Sequence, residues 1–122
     1  MGEGGRRFPR TARVNELVRE VVAEEIERLS DGDERLAMVT VTGVEVDPDL
    51  RHAKVLLSSL SPDADTALEA HRVRIQAAIN RQARLKRTPQ LSFSTDPAVE
   101  SGRRVEEILR DLRKAEADDA GR

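Results

Sequence analysis

Between Glu69 and Asp96 the chain carries six basic residues, Arg72, Arg74, Arg81, Arg84, Lys86 and Arg87, and not one carboxylate. This is the strongest chemical signal in the sequence. A guanidinium group presents a planar fork of donors to phosphate oxygens, and each phosphate it neutralises releases condensed counterion. A helix that needs charge only for solubility mixes in acids, because i,i+4 pairs of opposite sign add a little stability each. Here the like charges repel without local relief, which favours a polyanionic partner. On a 3.6-residue wheel Arg74, Arg81 and Arg84 fall within about 80° of arc. That arc lies opposite Leu68, Ile75 and Ile79, so the three arginines form an outward ridge. Lys86, Arg87 and Arg72 extend the positive area as further candidate RNA contacts, although Arg72 falls on the core side of the same wheel. A second cluster, Arg6, Arg7, Arg10 and Arg13, reads either as an arm that folds onto RNA or as a merely soluble terminus.

The mode of recognition follows from what is missing. Phe8 and Phe93 are the only aromatic residues, so stacking of bases on aromatic platforms is disfavoured. RNA is expected to be held through shape and phosphate. If about five cations engage phosphates, affinity should fall against the logarithm of salt with a slope of about −4.

Other chemistries find little support. There is no phosphate-cradling GxxxxGK[ST] loop, no HExxH and no GxSxG. His52 and His71 stand far apart and the chain has no cysteine, so a zinc site and disulfides are not expected. Asp47, Asp49, Asp63 and Asp65 sit where turns and a helix start need them. No apolar run is long enough for a signal peptide or a membrane span. The expectation is a cytoplasmic, monomeric protein with no cofactor, metal, small-molecule substrate or catalytic activity.

The elements that must position the arginines come next. The 122 residues amount to one domain. Their net charge of −2 hides a marked asymmetry: residues 16–69 carry fourteen acids against five bases. Val14, Leu17, Val18, Val21, Val22, Ile26 and Leu29 recur at helical spacing from about Thr11, and Ser30-Asp31-Gly32-Asp33 ends that helix, with Gly32 free to turn left-handed. Val39 and Val41 alternate with Thr40 and Thr42; beyond Gly43 the alternation slips a phase, which marks either a β-bulge or two short strands. Asp47-Pro48-Asp49-Leu50 turns the chain into a second strand over about His52–Ser58, completing a hairpin.

Ser61-Pro62-Asp63 starts a long helix. Leu85 lies well off its apolar side, so a kink or an end is expected near there. Thr88-Pro89 breaks it, and Leu91 and Phe93 alternate in a third strand. Val105, Ile108, Leu109 and Leu112 define a last amphipathic helix. The whole reads as a flexible basic arm over 1–10, a folded domain over 11–113 and a disordered acidic tail over 114–122. Its economical solution is α+β, with helices packed on one face of a three-stranded sheet.

Several strings, in order, resemble the ribosome-binding factor A family. They are Arg13-Val14, Val39-Thr40-Val41-Thr42-Gly43-Val44-Glu45-Val46, Asp49-Leu50-Arg51-His52-Ala53-Lys54-Val55, Arg87-Thr88-Pro89-Gln90-Leu91-Ser92-Phe93, then Asp96 and Gly102-Arg103. The likeness covers about residues 6–112. It implies a KH-like domain of type II that binds the free small (30S) ribosomal subunit and supports late maturation and 5′-end processing of 16S rRNA without being an enzyme. KH domains set GxxG between two helices, and this family is similar in usually having Ala-x-Gly there. Aligning back from Arg87-Thr88-Pro89 puts His71-Arg72-Val73 at that site, with no glycine between Gly43 and Gly102. The kink therefore lacks its usual residue, and phosphate contact by side chains is favoured over contact by backbone.

A rival reading is a protein–protein module whose acidic first helix binds a basic partner. It makes Glu20 and Glu24 the sensitive positions. A hydrolase using the turn carboxylates is a distant third.

Overall fold

The computed structural model describes residues 10–120. Helix α1 (Arg10–Ser30) leads through a 3-10 turn (Glu34–Leu36) into strands β1 (Val41–Val46) and β2 (His52–Leu57). Helix α2 (Pro62–Ala83), strand β3 (Gln90–Thr95) and helix α3 (Pro97–Ala120) follow. The sheet is mixed: β2 is central, antiparallel to β1 and parallel to β3. This is an α+β fold, in the element order expected from the sequence.

Alternation explains which face is covered. Val44, Val46, Ala53, Val55, Leu57 and Leu91 point to one side and are buried. Against them α1 lays Val18, Val22 and Ile26, and α2 lays Leu68, Ile75, Ala78 and Ile79. Each valine, leucine or isoleucine among them, fully buried, contributes about 1.5–3 kcal/mol. The bulge is present, with register shifting between Val41 and Gly43. Leu50 closes the hairpin at φ 62°, its N–H donating to Asp47 O at 2.8 Å. Gly32, by contrast, does not take up a left-handed conformation.

Two amides lock the helices to the sheet edges. Asn15 Oδ1 on α1 accepts the Val46 N–H at 2.8 Å, and Gln76 Oε1 on α2 accepts the Leu91 N–H at 2.9 Å. Both strands are edge strands, whose outward N–H groups would otherwise lack a partner.

Two expectations need correcting. Helix α2 runs unbroken through His71, Arg72 and Val73, where the resemblance implies a kink; the end expected near Leu85 is present, the helix stopping after Ala83 with Arg84 left-handed at φ 51° and ψ 44°. Neither Gly nor Pro interrupts it, and Ile75, Ala78 and Ile79 hold its second half on the core. Helix α3 departs further. Its start is anchored: Asp96 accepts the Ala98 N–H at 2.9 Å and the Thr42 hydroxyl, and Arg103 Nη2 donates to Ser58 O at 3.2 Å. Yet every residue from Ser101 to Asp118 is exposed, including Val105, Ile108, Leu109 and Leu112. Those four are not core, and only α1 and α2 cover the sheet. The helix also continues to Ala120, past the point at which disorder was expected.

Candidate nucleic-acid interface

The outward side of α2 is built from Ala70, Val73, Arg74, Ala77, Asn80 and Arg81, all exposed. Arg74 and Arg81 stand seven residues, or about 10 Å of helix rise, apart. Ala77 and Asn80 are the exposed residues between them, and the 72% exposed Val73 lies beside Arg74. The surface between the cations is therefore low, so a sugar-phosphate backbone can approach the helix closely. Charge periodicity alone does not reveal these small residues.

At the end of α2 the chain must turn Leu85 back toward the core, which it half-buries. Arg84 supplies the turn in a conformation that costs an L-residue about 1–2 kcal/mol. Thr88 Oγ1 then donates to Asn80 Oδ1 at 3.1 Å and ties the loop to the helix. Pro89 is buried, and the Gln90 N–H donates to Arg51 O at 2.8 Å as β3 begins. Arg84, Lys86 and Arg87 are exposed on this tethered loop. Asn80 and Thr88 are thus positioning residues for the cations.

The backbone bonds show where this loop lies. Val46, His52 and Gln90 mark the same end of the sheet, and the bond to Asn15 brings the start of α1 there too. Arg13, exposed on the first turns of α1, therefore shares an end of the domain with Arg84, Lys86 and Arg87. Arg51 is also there, engaged by Asp49 at 3.6 Å. Only the hairpin register, not spacing along the chain, reveals that neighbourhood.

Among the described residues no carboxylate pairs with Arg13, Arg74, Arg81, Arg84, Lys86 or Arg87. Arg72 differs. Its side chain is 31% exposed, and its Nε is shut off from solvent 3.2 Å from Glu69 Oε1, an ion pair whose alignment falls short of a hydrogen bond. Arg72 thus stands apart from the ridge. Arg6 and Arg7 lie outside the described residues, as does the side chain of Arg10, whose backbone opens α1.

Away from that loop, where the cavity beside Arg74 is also lined by Asp33, Arg35 and His71, the Asp33 carboxylate is internally paired. Asp33 accepts Arg35 Nε at 2.8 Å and Nη2 at 2.7 Å, and its Oδ2 lies 3.1 Å from His71 Nε2. The Arg35 hydrogen bonds, then His71, hold the Asp33 carboxyl well below the usual carboxylate range. Among the described residues no group of His, Asp and Glu side chains is arranged to hold a metal, and no helix is long and apolar enough to cross a membrane.

Comparison with known proteins agrees with the fold. The family model for ribosome-binding factor A matches residues 10–109. Ribosome-binding factor A of Rubrobacter xylanophilus is 40% identical over 116 residues, spanning 92% of this chain and 94% of that one. The Acidothermus cellulolyticus protein of the same name is 36% identical over 118 residues, spanning 93% of this chain and 78% of that one. The crystal structure of ribosome-binding factor A from Thermus thermophilus superposes with a TM-score of 0.64 at 30% identity, covering 70% of this chain and 94% of its own. A Thermus thermophilus homology model fitted into the cryo-EM map of a 30S complex gives 0.55 at 31%, covering 66% and 89%. With its matching element order, sheet and motif strings, this chain belongs to the ribosome-binding factor A family.

Proposed function

We propose that this protein binds the free small ribosomal subunit through the α2 ridge and the loop that follows it. It acts there as a KH-like RNA-binding assembly factor, supporting late maturation of 16S rRNA and its 5′-end processing, as a non-catalytic cytoplasmic monomer. The observation that carries the reading is the run Arg74, Arg81, Arg84, Lys86 and Arg87, exposed together and without a carboxylate partner among the described residues. Family membership supports it, and the Thermus thermophilus relative has been fitted into a map of a 30S complex. A helix–strand–strand–helix–strand order with a mixed sheet is compatible with a KH-like domain.

With α2 unbroken and no glycine in it, contact falls to guanidinium groups rather than to a backbone loop. Arginine suits that task, since its fork can bridge two phosphate oxygens. The deciding experiment is co-sedimentation with immature and mature small subunits across a salt series. Arg74, Arg81 and Arg84 changed together to Glu should abolish binding while circular dichroism stays unchanged. Retained binding by that variant would refute the assignment.

A further inference from the structure

The acidic face of α1 takes no part in the reading above, and it borders a groove. Where α1 runs beside the open edge of β1, a cavity of about 230 Å³ lies between Ala23, Ile26 and Glu27 on one wall and Val39 and Val41 on the other, floored by Leu36. β1 pairs with β2 on one side only, and Asn15 caps its other edge at Val46, the end away from the groove. Along the stretch from Val39 to Val41, the Val39 N–H is already donated to Leu36 O at 3.2 Å, and among the described residues no side chain caps Val41.

The rim carries Glu27, within an acidic stretch of chain. Glu20, Ala23 and Glu27 follow at helical spacing along one stripe, and Asp31 and Glu34 come after the end of α1. Glu20, Glu27, Asp31 and Glu34 are exposed and have no basic partner among the described residues. The cations nearby are already held: Arg19 by Glu16, Arg28 by Glu24 and Glu25, Arg35 by Asp33.

We infer that this groove docks an extended, lysine- and arginine-rich polypeptide segment of another protein, laid alongside β1 with an apolar side chain in the cavity. Each part of the site selects one property. The uncapped edge favours an extended backbone, the apolar walls favour an aliphatic anchor, and the free carboxylates favour positive charge. RNA is repelled by the same carboxylates. A second copy of this chain would bring two acidic stripes together, which opposes pairing through this edge. The protein would then hold RNA at its basic end and a basic protein segment beside the acidic face of α1.

The test uses the full chain and a fluorescein-labelled decapeptide of alternating lysine and valine, followed by anisotropy and by amide chemical shifts. Binding should shift Ala23, Val39 and Val41 and weaken with salt. The double variant Glu20→Lys, Glu27→Lys should weaken it at least about tenfold, through loss of charge complementarity alone. Ala23→Leu should weaken it by filling the cavity; if that variant misfolds by circular dichroism, the charge reversal still decides. Four results would each overturn the proposal. They are equal binding of a glutamate–valine peptide, equal binding of a helical lysine–leucine peptide, shifts confined to α2 or α3, and self-association of the chain that blocks the peptide. Subunit binding through Arg74 and Arg81 is read separately, so the two assignments can fail independently.

Discussion

Arg72 and Arg81 lie on one helix, carry the same charge and are alike in composition, yet they should behave oppositely toward RNA. Each cation that neutralises a phosphate adds about 0.9 to the steepness of the plot of log affinity against log salt on duplex nucleic acid. Five free cations, Arg74, Arg81, Arg84, Lys86 and Arg87, therefore give a slope of about −4.5, or roughly a 500-fold loss between 50 and 200 mM salt. Arg81→Gln keeps helix propensity and removes one such contact, so the slope should flatten to about −3.6. Arg72→Gln should leave it near −4.5, because that guanidinium is half-buried and paired with Glu69. The assay is filter binding of a small-subunit RNA fragment, each variant titrated at five salt concentrations with its fold checked by circular dichroism. Equal flattening by the two substitutions would refute the distinction between ridge and wheel position. A wild-type slope shallower than about −2 would refute multiple phosphate contacts altogether.

Three further outcomes follow from the geometry. Arg84→Gly relieves a left-handed arginine and should raise stability by about 1 kcal/mol in urea unfolding while flattening the salt slope by about 0.9; a loss of stability would show that Arg84 makes a contact worth more than its strain. Val105→Ser and Leu112→Ser fall on exposed positions and should change stability by no more than about 0.5 kcal/mol, whereas Ile79→Ala should cost about 2–5 kcal/mol. Glu16, Asp33 and Asp96 are held below the ordinary carboxylate range, chiefly by Arg19, Arg35 and the Thr42 hydroxyl respectively. A depressed folded-state value stabilises above the unfolded value, about 4, and that stability is lost as pH falls through the folded one. Thermal midpoints should thus hold steady from pH 7 to 5 and drop below 4; a midpoint that rises on acidification would contradict the assignment.

Much of this molecule was legible from residue order. The hairpin followed from alternation, a phase slip at Gly43 and an Asp-Pro-Asp turn, all of them local signals. The ridge followed from helical spacing, which places Arg74 and Arg81 outward whatever the neighbours do. Arg72 also fell where the wheel put it, and its long side chain reached Glu69 three residues back. Helix α3 differs from its pattern for a physical reason: an apolar stripe shows that a helix could bury a face, not that anything lies against it. Val105 to Leu112 satisfy the pattern and remain exposed. The left-handed residues were equally hidden, because glycine is the usual signal and here Leu50 and Arg84 occupy those positions while Gly32 does not. The gathering of Arg13 and Arg87 at one end depends on pairings between strands distant in sequence, which no local pattern encodes.

The two hydrogen bonds accepted by the Asn15 and Gln76 side-chain amides also act as mechanical stops. A helix seated on aliphatic side chains alone can slip lengthwise by one residue at modest cost, and such a slip rotates its surface by about 100°. Gln76 lies between Arg74 and Arg81, and its bond to Leu91 would be broken by that movement. The row of charges is thereby indexed to β3, much as a pin fixes a dial. A polymer with fixed phosphate intervals then meets a gauge of constant setting rather than one that drifts with thermal sliding of the helix.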